Sequence, residues 1–233
     1  MAVGKRIYLK RDLPDPELVA AFREVPASNV ADCMERICAM HPRIRLISSP
    51  KAPVATGPAY TVKCRGGDNL ALHAALTFCQ AGDMIVVAND EETTRSLAGE
   101  VMMTYLKEVK HVAGIIVDGP LRDMDALSTW DFPIYCTGST PGGPYKNGPG
   151  ELNVPIACGG VTVNPGDIIV ADADGAIVVP RKDAPAILKA AIAYRDKDRA
   201  KVQEALEGRA NRAWVDKALA DLGFEIIDDV YRP

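Results

Sequence analysis

The sequence predicts an α/β fold with a largely covered sheet, and two observations carry that prediction. Short apolar runs bounded by turn residues alternate with segments of helical spacing between residues 53 and 119. The composition, 48% hydrophobic and 25% charged, is that of an ordinary globular chain. The 233 residues are ample for a core, and no internal repeat or low-complexity linker interrupts them. Residues 1–233 are therefore expected to form a single domain with helical N- and C-terminal segments.

Taken in order, Asp15-Pro16-Glu17-Leu18 is a helix start and Ser28–Asp32 reads as a second helix with its own cap, so residues 15–40 are expected to be helical. Residues 53–64, PVATGPAYTVKC, read as strand. Residues 68–80 read as helix: Asp68 caps it, and Leu70, Ala74 and Phe78 fall at helical spacing. GDMIVVAND, residues 82–90, is a turn and then a buried strand. A helix is expected to begin near Gly99-Glu100, and HVAGIIVDG, residues 111–119, is another buried strand. From 133 to 180 the pattern changes to strands and turns, with Asn164–Asp167 and Asp174-Gly175 as hairpin-type turns. Residues 181–220 return to an amphipathic, charge-rich helix. Pro141–Gly150, PGGPYKNGPG, is the one long irregular segment. It reads either as a surface loop or as an ordered loop at a site rim or subunit interface.

Several function classes are disfavoured. A net charge of −4 argues against a protein that grips a nucleic-acid backbone. No stretch approaches the roughly 20 apolar residues of a membrane span. Met1–Arg6 has no apolar region after its basic residues, so no secretory leader is expected there and a cytoplasmic protein is the default. The six cysteines form no CxxC, and three scattered histidines add no zinc spacing, so reduced structural thiols are expected. GxGxxG after a strand, GxxxxGK[ST] and GxSxG are all missing.

What remains is VDGPLRD, residues 117–123, at the mouth of a buried strand. A strand ending at Asp118-Gly119 delivers Arg122 and Asp123 to the C-terminal edge of the sheet, where open α/β sheets bind ligands. An arginine fork suits a carboxylate. A single aspartate with waters suits Mg²⁺, which keeps much of its hydration shell. The plainer reading is a pair of surface turn residues. Glu100 precedes Arg122 with a helix and a strand between, which returns the chain to the same edge. The helix start at Gly99 would offer the N–H groups of about Val101 and Met102 to an anion; alternatively Glu100 only favours its helix N-terminus through the dipole.

GEVMMTYLKEVKHVAGIIVDGPLRD (99–123) and TPGGPYKNGPGELNVPIACGGVTVNPGDIIVADADGAIVVP (140–180) closely resemble the RraA-like family, with weaker support from AYTVKCRGGDN and AGDMIVV. That family contains 4-hydroxy-4-methyl-2-oxoglutarate/4-carboxy-4-hydroxy-2-oxoadipate aldolases and relatives named as regulators of ribonuclease E. The resemblance implies an αββα sandwich related to swivelling phosphohistidine-type domains, in homotrimers or homohexamers with sites between subunits. It implies a lyase that uses Mg²⁺ (or Mn²⁺) and releases pyruvate from a small 2-oxo acid. Carried over, Asp123 is the metal ligand, Arg122 binds the keto-acid end, Glu100 stands near the metal waters, and the turn after Gly99 holds the pyruvyl carboxylate with the N–H groups of Val101 and Met102. A carboxylate behind the metal waters, supplied by the adjacent subunit's C-terminal helix, falls on Asp198 or else Asp196. One departure is a single extra residue between Glu100 and Arg122, expected near Lys110-His111; inside the first helical turn it would displace Glu100. The residues beyond 205 match no feature of the family.

Cleaving a C–C bond beside a carbinol leaves an enolate, which needs either a lysine Schiff base or a Lewis-acid metal. Lys63 is the best-placed lysine, and the metal route fits Asp123 better. The same electrophile would decarboxylate oxaloacetate. Arg65, Arg95 and Lys146 are candidate contacts for the leaving half, or solvated surface charges. The competing reading is a non-enzymatic RraA-type regulator that binds a ribonuclease; a third is a lyase or hydratase acting on another acid.

Overall fold

The computed structural model describes residues 3–232. They divide into two compact units, one reaching Tyr194 and one from Arg195 onward.

The first unit is an αββα sandwich, and the alternation of side chains along each strand builds it. In β3 (Met84–Ala88) every residue is buried. Ile85 and Val87 face one core, with Leu72 and Ala75 of α3 (Leu70–Phe78) and Met103 of α4 (Glu100–Thr104). Met84, Val86 and Ala88 face a second core, opposite Ile156 and Cys158 of β9 (Ile156–Cys158), Ile169 of β11 (Ile168–Asp172) and Val178 of β12 (Gly175–Val179). The other faces of β11 and β12 send Ile168, Val170, Ile177 and Val179 into a third core. It is closed by α1 (Pro16–Ala21), α2 (Ala27–Asp32) and the start of α6 (Ala184–Leu206). A period of two on strands buried from both sides gives near-continuous apolar runs, the pattern seen in the sequence.

The main sheet runs β1 (Arg45–Leu46), β6 (Ile134–Cys136), β4 (Gly114–Val117), β3, β2 (Ala55–Cys64), β11, β12, with β8 (Gly150–Leu152) also paired to β2. Strands β2, β3, β4 and β6 are parallel. The long β2 serves both layers: Ala55–Pro58 pair antiparallel with β11, and Ala59–Lys63 pair with β3. At the crossing, a Cβ on Gly57 would lie 2.6 Å from the Gly82 carbonyl oxygen, so only glycine lets the backbones approach. A short β10 (Val161–Val163) pairs with β9.

Two local expectations are corrected. Helix α2 starts at Ala27, and its N-terminal N–H is capped by Asp172 Oδ2 of β11 at 2.8 Å rather than by its own Ser28. Residues 33–40 are not helical: Glu35 and Arg36 take φ of 52° and 63°, which ends the helix in a left-handed turn.

The second unit carries the rest of α6 and α7 (Ala213–Asp221), whose residues are none of them buried. Among the described residues no helix is long and apolar enough to cross a membrane, and all six cysteines are free thiols.

Candidate active site

The parallel strands end on one edge, and three loops leave it there: residues 89–99 after β3, the turn 118–123 after β4, and the segment 137–149 after β6. Asp118, the first carboxylate of VDGPLRD, turns away from the edge and is buried. It accepts a fork from Arg43, Nε and Nη2 each at 2.9 Å, and the Gly159 N–H at 2.7 Å. It therefore anchors the turn to the second layer. Arg43→Ala would strand that buried charge and is expected to cost about 2–4 kcal/mol, measured by urea unfolding.

Beyond this anchor, β5 (Pro120–Leu121) pairs with β7 (Gly138–Ser139) and lies beside the loop from β3. The Leu97 N–H donates to the Pro120 carbonyl at 3.1 Å, and the Arg122 N–H to the Ala98 carbonyl at 3.1 Å. This ladder presses Gly99 against Arg122 and Asp123. A Cβ on Gly99 would fall on Asp123 Oδ2 and lie 2.8 Å from Arg122 Cγ. Glu100 is the first residue of α4, and its N–H donates to Asp123 Oδ2 at 2.8 Å. The next N–H groups, of Val101 and Met102, have no carbonyl partner within the helix. Asp123 adopts φ 63° and ψ 41°, and its carbonyl accepts from Ala126 and Leu127 at the start of α5 (Met124–Leu127). Aspartate is among the few residues that visit this left-handed region readily.

Arg122 stands between two cavities. One, of about 430 Å³, is lined by Gly99, Val101, Met102 and Arg122 together with Asn69, His73, Ser96 and Lys146. The other, of about 490 Å³, is lined by Arg122, Asp123, Asp125, Ser139 and Thr140. The Arg122 and Asp123 side chains are 49% and 41% exposed, with Arg122 Nε 3.7 Å from Asp123 Oδ2. The structure thus brings Gly99, Glu100, Val101, Met102, Arg122 and Asp123 to one place. Asp198 lies on α6 in the second unit, with its Oδ1 2.9 Å from Lys201 Nζ, and Asp196 pairs with Arg195.

Between Glu100 and Arg122 the helix ends in a π-helical turn, Tyr105–Val109, in which the Lys110 N–H reaches the Tyr105 carbonyl at 3.0 Å. A π turn is how a helix absorbs one added residue. It lies past the first turn of α4, so Glu100 keeps its place at the N-terminus.

The Pro141–Gly150 segment is ordered by a latch that the sequence did not reveal. Asp68 Oδ2 accepts the N–H groups of Asn147 at 2.7 Å and Gly148 at 2.9 Å, and its Oδ1 accepts that of Leu70 at 3.0 Å. Arg95 donates to the Gly143 carbonyl and the Tyr145 hydroxyl and lies 4.0 Å from the Tyr145 ring centroid. Arg65 pairs with Asp68. Both arginines hold the loop, and of the three cations considered for the leaving half only Lys146 lines the 430 Å³ cavity. Lys63 is exposed on β2 and does not line it.

Burial pushes the Asp68 carboxyl up, but the three N–H donors and Arg65 outweigh it and hold the group below its usual range. A depressed folded pKa stabilises above the unfolded value, near 4, and that stabilisation is lost as pH falls through the lower folded value. Asp68→Asn should therefore free the loop at neutral pH, and tryptic cleavage after Lys146 is expected to accelerate about tenfold. In the unaltered chain the same release should appear only in acid below the ordinary carboxylate range, as a loss of loop amide protection from hydrogen exchange.

A single exposed carboxylate is a reasonable anchor for a hard, hydrated dication. Asp123 Oδ2 is oriented by the Glu100 N–H, and Oδ1 has no hydrogen-bond donor among the described residues. No group of three His, Cys, Asp or Glu able to hold a metal ion occurs among the described residues; a cation bound at this edge would have Asp123 and solvent as its ligands, a set that Mg²⁺ accepts.

The model of the RraA-like family, Aldolase/RraA, matches residues 27–178. The chain belongs to the RraA-like family. A Halalkalibacterium halodurans protein named "Putative 4-hydroxy-4-methyl-2-oxoglutarate aldolase" is 34% identical over 204 residues, 87% of this chain and 96% of that one. RraAS2 of Streptomyces coelicolor, described as an unusual member of the RNase ES inhibitor RraA protein family, superposes with a TM-score of 0.73 at 31% identity, covering 82% of this chain and 98% of that one. The RNA-processing inhibitor RraA from Thermus thermophilis gives a TM-score of 0.60 at 26% identity, over 66% of this chain and 92% of that one. The αββα sandwich of this RraA-like protein is thus the fold of its family. The family model covers Gly99, Glu100, Arg122 and Asp123 and stops before α6.

Proposed function

We propose that this RraA-like protein is a divalent-metal-dependent (class II) pyruvate aldolase. It cleaves a 4-hydroxy-2-oxo acid such as 4-hydroxy-4-methyl-2-oxoglutarate to pyruvate and a second oxo compound, and it decarboxylates oxaloacetate at the same site. The observation that carries this reading is the bond from the Glu100 N–H to Asp123 Oδ2, which sets a carboxylate, an arginine and a helix N-terminus around one point.

Asp123 would hold Mg²⁺ or Mn²⁺, which when bound supplies the Lewis acidity that draws electrons from the 2-oxo group. The N–H groups of Val101 and Met102 grip the substrate carboxylate, as helix N-termini do. Arg122 adds positive charge where the enolate oxygen develops, an aid typically worth about 3–4 kcal/mol when the donor is preorganised. Glu100 positions the water that takes the C4-hydroxyl proton, and water returns a proton to the pyruvate carbanion. Asp198 of an adjacent copy, in a homotrimer or homohexamer, completes this arrangement.

The test is pyruvate release from 4-hydroxy-4-methyl-2-oxoglutarate and from oxaloacetate, followed by a coupled lactate dehydrogenase assay. Chelation with EDTA should abolish release and added Mg²⁺ or Mn²⁺ should restore it. No pyruvate from either acid, together with tight binding to a ribonuclease, would replace this reading with the regulator.

A further inference from the structure

The loop that walls the 430 Å³ cavity is tied, at its far end, to a part of the chain that precedes residue 27, where the family model begins. Gly143, Pro144 and Lys146 of the loop line the cavity, and the loop runs straight into β8. On one side β8 pairs with β2, Glu151 opposite Lys63 and Gly150 opposite Cys64. On its other side lies the N-terminal segment Gly4–Tyr8, parallel to it at Ile7 and Leu152. The Gly150 N–H donates to the Gly4 carbonyl at 2.8 Å, the Leu152 N–H to the Arg6 carbonyl at 3.0 Å, and the Tyr8 N–H to the Leu152 carbonyl at 3.2 Å. Asn153 Nδ2 adds a bond to the Tyr8 carbonyl at 2.8 Å. Gly4 itself sits against the last residue of the loop: a Cβ on it would lie 3.3 Å from Pro149 Cβ.

One charged pair fastens this ribbon. The Glu151 side chain is buried at the centre of β8, and Arg6 Nε donates to its Oε1. That bond outweighs burial and holds the Glu151 carboxyl below its usual range, so the pair is ionised at neutral pH. We propose that Gly4–Tyr8 is a strap that positions the active-site loop, with Arg6 as a positioning residue acting through Glu151. Asp68 grips the loop at Asn147 and Gly148, and the strap fixes the residues that follow at once, Pro149 to Leu152. Without Arg6 a buried carboxylate loses its counter-charge, and it regains solvation by moving outward. That movement pulls Gly150 off the Gly4 carbonyl and shifts Pro149, and the shift passes along a few residues of backbone to Lys146 at the cavity wall. The strap's effect on turnover rests on the aldolase reading; its hold on the loop does not.

The experiment uses the full chain and two substitutions: Arg6→Met, which keeps an apolar stem and removes the charge, and Arg6→Lys, which restores the charge. Hydrogen exchange at the Asn147 and Gly148 amides reads the loop directly, and steady-state pyruvate release reads the site. In Arg6→Met the two amides are expected to exchange about tenfold faster. KM is expected to rise about tenfold while kcat stays within about twofold, because the cavity wall is displaced and the reacting groups on Asp123 and α4 are not. Arg6→Lys should recover most of both effects. A purely structural role would instead reduce the folded fraction, lowering kcat at constant KM. That outcome, unchanged amide exchange in Arg6→Met, or an Arg6→Lys protein as impaired as Arg6→Met would overturn the strap. Amide exchange needs no turnover, so the two readings fail separately. Faster exchange in a protein that releases no pyruvate sinks the aldolase alone, and pyruvate release with unchanged exchange sinks the strap alone.

Discussion

Asparagine in place of Asp123 is expected to lower kcat/KM for pyruvate release by about a thousandfold, roughly 4 kcal/mol of transition-state stabilisation. The substitution keeps the shape, and the amide oxygen can still accept the Glu100 N–H that Asp123 Oδ2 now takes at 2.8 Å. What it removes is the formal negative charge that would hold a dication. The cost to the fold should be small, within about 1 kcal/mol, because the side chain is 41% exposed and its pairing with Arg122 is a long 3.7 Å. Steady-state rates across a Mg²⁺ titration and a urea unfolding curve separate these effects. An Asp123→Asn variant that keeps full activity with an unshifted Mg²⁺ requirement would remove Asp123 from the chemistry.

The sheet was legible because its strands are buried on both faces. Met84–Ala88 and Gly114–Val117 had to read as unbroken apolar runs, and the turn residues at their ends located the edge where the site lies. The start of α4 was legible for a different reason: Gly99-Glu100 carries a small residue and an acid where a helix N-terminus favours them. Contacts between distant residues were not. Asp68 latches Asn147 and Gly148 across some eighty positions, and nothing in PGGPYKNGPG announces a carboxylate that will hold it. Asp118 stands in the same VDGPLRD stretch as Asp123, and the partner that holds it away from the site, Arg43, lies far upstream. His73 had a usable signal that went unread. It sits four residues after Asn69 in a helix leaving the same sheet edge, so the two share a face. The π turn at Tyr105–Val109, before the helix–strand connection, has no signature in the sequence and shows only in the backbone.

The close approach of Gly99 to Arg122 and Asp123 yields the second large effect. Gly99 has φ −145° and ψ −165°, extended backbone that any residue adopts, so the glycine is not required by its conformation. It is required by space. An added Cβ falls on Asp123 Oδ2 and comes within 2.8 Å of Arg122 Cγ and 3.0 Å of Arg122 Nε. Oδ2 ends the Asp123 side chain, while Cγ and Nε lie along the Arg122 chain; both side chains are about half exposed, so they can swing aside, and the fold should lose only about 1–2 kcal/mol. Swinging aside is what the site cannot tolerate: the carboxylate leaves the Glu100 N–H and the guanidinium leaves the cavity edge. Displacement of catalytic groups by about 1 Å typically costs a hundredfold in rate. Gly99→Ala is therefore expected to reduce kcat/KM at least about a hundredfold while the thermal midpoint drops by only a few degrees. If the site were a passive surface turn, the same substitution would change stability and nothing else. A Gly99→Ala protein with undiminished pyruvate release would mean that the contact between this glycine and its two charged neighbours has no part in catalysis.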